Sequence, residues 1–234
     1  MNPRESLESS LLRHGKIEGF SEFIEAGKKP PYDEYVKFMR GEIDPPVDRG
    51  ATKELIEEKI RTGKLKKEDF DIIICSPALR ARQTSELVKE NLETDVSIHP
   101  SEYLREMNIP MEDVTPEFYE QAKDIYEVRN KFFESLLAGK KVDEDIIDAY
   151  KRAERFLTYF RRVKKFTGKK PLFIAHGIFQ RFLELAINHQ GEQLDDDQIR
   201  NFIQEELQQT ARHGTFDGFR IASGKEGAKI IGLT

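Results

Sequence analysis

The sequence predicts an α/β protein in which a mostly parallel sheet carries helices on both faces. Three segments support this prediction, because in each a short apolar run passes directly into a polar turn or a helix: residues 10–15, 71–90 and 171–187. Strands that alternate with helices form parallel sheets. A chain of 234 residues can bury a sizeable core, and we predict a single domain over 1–234.

The first segment, SLLRHG, predicts a short strand that ends in Arg13, His14 and Gly15. The stretch after it, residues 19–49, is rich in aromatic side chains and is longer than a simple connection requires. Long loops beside a strand end often form binding walls. We therefore predict a short helical lid or insertion at 19–49.

The second and third segments each predict a strand followed by a helix. Residues 72–74 are three isoleucines, and Ser76 followed by Pro77 is typical of a helix N-cap and first turn. Residues 172–175 predict another strand, with a turn at His176 and Gly177 and an amphipathic helix from Ile178.

Two long packing helices are predicted between these segments, within a helical insertion at 112–168. One follows Thr115 and Pro116 and ends near Gly139, and the other runs from about residue 145 to 168. Residues 195–209 predict a further amphipathic helix, and residues 215–231 predict one or two edge strands around a turn at 224 and 225.

Composition excludes several classes of function. The formal charge of −5 argues against nucleic acid as a partner, and no apolar run approaches the length of a membrane span. The single cysteine, Cys75, excludes an intrachain disulfide and fits a reducing compartment, so we expect a cytoplasmic protein. His99, His189 and His213 do not show the clustered spacing of a zinc site.

Polar residues close each predicted strand. Carboxyl ends of parallel strands meet at one edge of the sheet, where α/β proteins bind ligands, so Arg13, His14, Arg80 and His176 are predicted to converge there. Any one of them alone is more often structural or solvated. Their combination favours a shared site.

Four motifs appear in series: RHG at 13–15, SPALRARQT at 76–84, LREM at 104–107 and AHG at 175–177. In this order they resemble the motifs of the histidine phosphatase superfamily, over about residues 9–187. The resemblance implies a phosphoglycerate mutase-like three-layer sandwich with a phosphate pocket at the strand carboxyl ends. It also implies that no metal or other cofactor is required.

The resemblance assigns roles that suit phosphoryl transfer. His14 is implied as the nucleophile that carries a transient phosphohistidine, while Arg13 and Arg80 clamp the phosphate as forked cations. His176 is implied to donate to another phosphate oxygen, and Gly15 lets the backbone approach the anion. The position of Glu106 implies the proton donor; without the motif, its simplest role is a surface partner of Arg105.

The residues after RHG depart from the common pattern of the superfamily. Lys16, Ile17 and Phe20 stand where many members have an acidic residue, a threonine or serine, and an asparagine. Lys16 is predicted as a replacement phosphate contact, against the alternative of a solvated loop lysine.

We predict a metal-independent phosphomonoesterase that hydrolyses a small phosphorylated metabolite. A phosphoglycerate-type mutase, a phosphoprotein or phosphohistidine phosphatase, and a non-catalytic phosphate-binding scaffold remain alternatives. The sequence leaves the substrate and the oligomeric state open.

Overall fold

The computed structural model describes residues 7–167, 169–208, 218–224 and 227–233. These residues include six strands of one sheet, in chain order β1 (Leu7–Arg13), β2 (Ile72–Cys75), β3 (Ser97–Pro100), β4 (Pro171–Ala175), β5 (Gly218–Gly224) and β6 (Gly227–Leu233). Their spatial order is β3-β2-β4-β1-β5-β6. The first four in this order run parallel, and β5 and β6 are antiparallel additions at one edge.

The described helices number nine besides two short 3-10 turns: α1 (Ser21–Glu25), α2 (Tyr32–Met39), α3 (Arg49–Arg61), α4 (Leu79–Asn91), α5 (Pro116–Gln121), α6 (Ile125–Leu137), α7 (Ile146–Thr167), α8 (Gly177–Asn188) and α9 (Asp196–Gln208). The predicted α/β class and mostly parallel sheet are therefore confirmed. The predicted edge strands at the tail are also confirmed, whereas residue 225 of their turn lies outside the described residues.

Consecutive side chains of a strand point to opposite faces of the sheet. Because the central strands are apolar on both faces, helices cover both faces. Ile73, Cys75, Leu172 and Ile174 pack with α3 and α4 on one face. The intervening residues Ile72, Ile74, Phe173 and Ala175 pack with α5 to α9 on the other. Strands this apolar on both faces are typical of a parallel sheet between two helical layers.

The predicted helix start at Ser76 is wrong. Helix α4 begins at Leu79, and Ser76 Oγ accepts only a long hydrogen bond from Ala78 N, at 3.3 Å. A carboxylate from elsewhere in the chain serves the helix instead, because Asp44 Oδ2 accepts from Leu79 N at 2.5 Å. The N-terminus of α4 is thus capped by a tertiary contact.

The single helix predicted from Pro116 to Gly139 is two helices. Thr115 caps α5, because its side chain accepts a hydrogen bond from Phe118 N. Asp124 then caps a new helix, because its Oδ1 accepts from both Tyr126 N and Glu127 N. The second predicted long helix is confirmed as α7, although its predicted last residue, 168, lies outside the described residues.

Residues 19–49 form α1, α2 and their connections, which lie against α5. Lys29 Nζ donates to the carbonyl oxygens of Tyr119, Glu120 and Ala122 at the end of α5. In return, Tyr119 Oη donates to Pro30 O at 2.6 Å. This segment and the helical insertion therefore form one wall, and movement of the segment as a lid remains a prediction.

Among the described helices, none combines the length and apolar composition needed to cross a bilayer. His213 lies outside the described residues.

Candidate active site

The carboxyl ends of β1, β4 and β2 lie side by side because the strands are parallel and in matching register. Arg13 pairs with Ala175, and Cys75 pairs with Ile174. The residues that follow therefore meet at one edge, and the rings of His14 and His176 lie with centroids 5.0 Å apart. Together with Arg13, Arg80 and Glu106, His14 lines a cavity of about 710 Å³.

His14 is buried and held by two contacts. Its backbone N–H donates to Ala175 O at 2.9 Å, and its ring Nδ1 lies 2.7 Å from Gly15 O. A carbonyl oxygen can only accept, so Nδ1 carries the proton and Nε2 presents a lone pair. Burial, reinforced by Arg80 and Arg13, lowers the pKa of His14 well below 6.5. The ring is therefore neutral near neutral pH.

His176 precedes the first residue of α8 and is fully buried. Among the described residues, neither of its ring nitrogens has a hydrogen-bond partner. Burial, with Arg80 next in effect, lowers its pKa well below 6.5. Two unpaired buried nitrogens are costly unless a ligand pairs with them.

Arg80 lies in the first turn of α4 and is almost buried. Its guanidinium Nη1 donates to Asp44 Oδ1 at 2.7 Å, and its guanidinium carbon lies 5.1 Å from the centre of the Phe38 ring. Its Nε is buried without a hydrogen-bond partner in the described part of the chain. The side chain is thus oriented by one carboxylate and one ring.

Arg13 is the last residue of β1, and it lines the cavity beside the start of α8. A Cβ on Gly177 would lie 3.3 Å from Arg13 Nε, so the glycine leaves room for the guanidinium.

Position 15 must be glycine because there is no space for a Cβ atom beside Thr52. A Cβ at this position would lie 2.2 Å from Thr52 Cγ2, closer than nonbonded carbons approach. Gly15 N donates to Thr84 Oγ1 at 2.9 Å, and Thr84 Oγ1 donates to Arg80 O at 2.7 Å. The turn after β1 is therefore attached directly to the helix that carries Arg80.

Glu106 lies at the N-terminus of α8 and is half-buried in the cavity wall. Its Oε1 accepts from Met107 N at 3.1 Å and from Phe179 N at 3.0 Å, while Oε2 accepts from Ile178 N at 3.2 Å. Burial raises the pKa of Glu106, although Arg80 and the three N–H groups oppose the shift. A carboxyl in this position can exchange a proton closer to neutral pH than an exposed one.

Lys16 does not line the cavity that the predicted catalytic residues His14, Arg13, Arg80 and Glu106 line. Its Nζ forms an ion pair of 2.9 Å with Glu25 of α1. Its predicted contact with phosphate would require this ion pair to break, and the contact remains a prediction. Glu106, by contrast, is not the surface partner of Arg105, which pairs with Asp143 and Glu144.

Sequence reasoning missed Asp44, Thr52 and Thr84. Thr84 follows Arg80 by four residues, so helical spacing alone could have placed both on one face. Asp44 is 36 residues from Arg80 and no local pattern links them. The contact of Thr52 with Gly15 depends on how α3 packs against the sheet.

Comparison with known families gives a match that spans all four motifs. A model of the histidine phosphatase superfamily, branch 1, matches residues 10–220. The chain belongs to this superfamily. The superfamily includes both phosphatases and mutases. Membership therefore does not decide which of these activities the chain has.

Solved structures show the same fold at low identity. A phosphoglycerate mutase from Bacillus anthracis is 16% identical with a TM-score of 0.59, and the match covers 97% of this chain and 92% of that one. A mycobacterial glucosyl-3-phosphoglycerate phosphatase is 14% identical with a TM-score of 0.60, covering 97% and 98%. A mutant phosphoserine phosphatase from Entamoeba histolytica is 16% identical with a TM-score of 0.56, covering 97% and 95%. No curated protein sequence matches the chain. The phosphoglycerate mutase-like fold of this superfamily member is thus established.

Proposed function

We propose that this chain is a phosphomonoesterase that hydrolyses a small phosphorylated metabolite through a phosphohistidine on His14. The observation that carries the proposal is the hydrogen bond of 2.7 Å between His14 Nδ1 and Gly15 O. It assigns the proton to Nδ1 and leaves the lone pair of Nε2 available as a nucleophile. Solved phosphatases with the same fold add support at the level of the fold alone.

In the first step, His14 Nε2 forms a bond to phosphorus and the ester P–O bond breaks. Negative charge on the transferring group faces the guanidinium groups of Arg13 and Arg80, whose fixed donors stabilise it without rearrangement. His176, as a neutral ring with one N–H, donates to another phosphate oxygen. Burial, reinforced by the same two arginines, lowers the pKa of His14 and keeps the ring unprotonated before attack.

Glu106 supplies the proton that the leaving oxygen needs. Its pKa is already raised by burial, and an arriving phosphate raises it further by repulsion. In the second step, water attacks phosphorus and gives a proton to the Glu106 carboxylate. The N–P bond breaks, inorganic phosphate forms, and His14 returns to its neutral form.

The test is hydrolysis of p-nitrophenyl phosphate in EDTA by the wild type and by His14→Ala. His99→Ala is a matched control, because His99 is exposed on β3 and its ring is hydrogen-bonded to Ser97 Oγ. Protein quenched in alkaline detergent is assayed for bound phosphate that is stable in base and labile in acid. We expect turnover and labelling in the wild type and in His99→Ala, and neither in His14→Ala.

Three outcomes contradict the proposal. Full turnover by His14→Ala would remove His14 as the nucleophile. A folded wild type with neither turnover nor labelling would favour a mutase of narrow specificity or a non-catalytic binding protein. Labelling without net hydrolysis would favour a mutase that protects its phosphohistidine from water.

A further inference from the structure

Arg129 of α6 lines the same cavity, and in the described part of the chain no carboxylate is paired with it. Its guanidinium carbon lies 5.5 Å from the centre of the Tyr126 ring and 5.8 Å from that of Phe133. Its Nε is buried without a hydrogen-bond partner, and no described carboxylate forms an ion pair with it. Two aromatic rings thus hold the cation in place without neutralising it.

Two other arginines of the cavity wall, Arg80 and Arg105, are paired with acids. Arg80 binds Asp44, and Arg105 binds Asp143 at 2.6 Å and Glu144 at 3.0 Å. Burial lowers the pKa of Arg129, because removing a cation from water disfavours its charged form when no opposite charge is nearby. An anionic group of a ligand would supply the missing partner.

Arg129 and Arg80 are connected by one face of α2. Phe38 lies against the Arg80 guanidinium, and Tyr35, one turn earlier, lies within the electrostatic reach of Arg129. Three residues of helix correspond to about 4.5 Å along the axis. Phe38 beside Arg80 and Tyr35 near Arg129 therefore lie one turn apart on α2, and both line the cavity.

The cavity has room for more than a phosphate. Its volume of about 710 Å³ is in the range of sites for small organic ligands. Helices α2 and α6 contribute large apolar side chains to its lining, including Tyr35, Phe38, Ile125, Phe132 and Phe133. Such a wall suits the apolar body of a ligand whose two ends are charged.

Building on the proposed phosphatase function, we propose that Arg129 binds a carboxylate on the organic part of the substrate. One planar guanidinium matches the two oxygens of one carboxylate. The substrate class is then a phosphate monoester with an apolar body and a carboxylate at the opposite end. Phosphate lies at His14, the body lies along α2, and the carboxylate meets Arg129.

Binding of non-hydrolysable phosphonates tests the inference without turnover. The probes are benzylphosphonate and a series with an added carboxylate: 3-carboxybenzyl-, 4-carboxybenzyl- and 4-(carboxymethyl)benzylphosphonate, each titrated calorimetrically. The proteins are wild type, Arg129→Met, Arg129→Lys and Arg40→Met. Arg40 is a matched control, because it pairs with Glu42 and Glu112 and does not line the cavity.

We expect at least one carboxylated probe to bind the wild type and Arg40→Met about tenfold or more tightly than benzylphosphonate, as for a charge-assisted hydrogen bond. In Arg129→Met this advantage should fall to about twofold or less, and Arg129→Lys should retain part of it. An advantage of equal size in Arg129→Met, or none in the wild type, would show that Arg129 serves packing only.

The two proposals fail in different ways. If the wild type hydrolyses aryl phosphates but binds no carboxylated probe more tightly than benzylphosphonate, only the Arg129 inference is wrong. If the wild type binds no phosphonate and hydrolyses no phosphate ester, both are wrong.

Discussion

Substitution of Gly15 by alanine tests whether close packing at the end of β1 positions the nucleophile. The new Cβ would lie 2.2 Å from Thr52 Cγ2, 2.4 Å from Thr52 Oγ1 and 2.8 Å from Thr52 Cβ. Ordinary contact requires at least about 3.4 Å, and Thr52 is fully buried in α3. Either α3 or the turn that carries His14 must therefore move by about 1 Å.

The expected cost follows from this displacement. Overpacking of a rigid interior lowers the free energy of unfolding by about 1–3 kcal/mol. Because Gly15 N also donates to Thr84 Oγ1, the shift would strain the link to Arg80. A displacement of about 1 Å in a reacting group can reduce the rate about 100-fold. We expect Gly15→Ala to lose both stability and turnover.

Urea denaturation and kcat/KM for an aryl phosphate measure the two losses. The double variant Gly15→Ala/Thr52→Ala removes the two nearest contact atoms and retains the one at 2.8 Å, so it should recover part of both. Thr52 Oγ1 has no hydrogen-bond partner among the described residues, so Thr52→Ala breaks no hydrogen bond there. Unchanged stability and turnover in Gly15→Ala, or no recovery in the double variant, would refute the steric argument.

Three further substitutions separate the remaining roles. Glu106→Gln should reduce kcat/KM for alkyl phosphates by about 100- to 10,000-fold and much less for p-nitrophenyl phosphate, and equal losses would exclude Glu106 as the acid. The lowered pKa values of His14 and His176 mean that the folded protein binds fewer protons than the unfolded chain, so the free energy of unfolding should fall as pH drops below 6.5. The slope approaches about 1.4 kcal/mol per pH unit for each histidine, and urea denaturation between pH 7.5 and 5 should show a smaller slope in His14→Asn. Arg80→Ala should weaken inhibition by vanadate about tenfold or more, and unchanged inhibition would limit Arg80 to its structural contacts.

Local patterns in the sequence were sufficient for most of the fold. Isoleucines at 72–74 and the apolar run before His176 predicted β2 and β4, because strands buried on both faces require continuous apolar residues. The boundary between α5 and α6 was also encoded locally, since Asp124 and Glu127 form a typical helix start that was overlooked. The start of α4 was not encoded locally, because its cap comes from Asp44.

The sequence by itself determined the order of strands and helices and the polar residues that follow the strands. Parallel packing then brings Arg13, His14 and His176 to one edge, since adjacent strands end at the same level. Only the tertiary structure decided what surrounds them: Thr52 against Gly15, Asp44 on Arg80, and Arg129 without a counter-ion among the described residues. These contacts join residues that are distant along the chain, and their geometry depends on how whole helices pack, which no local pattern records.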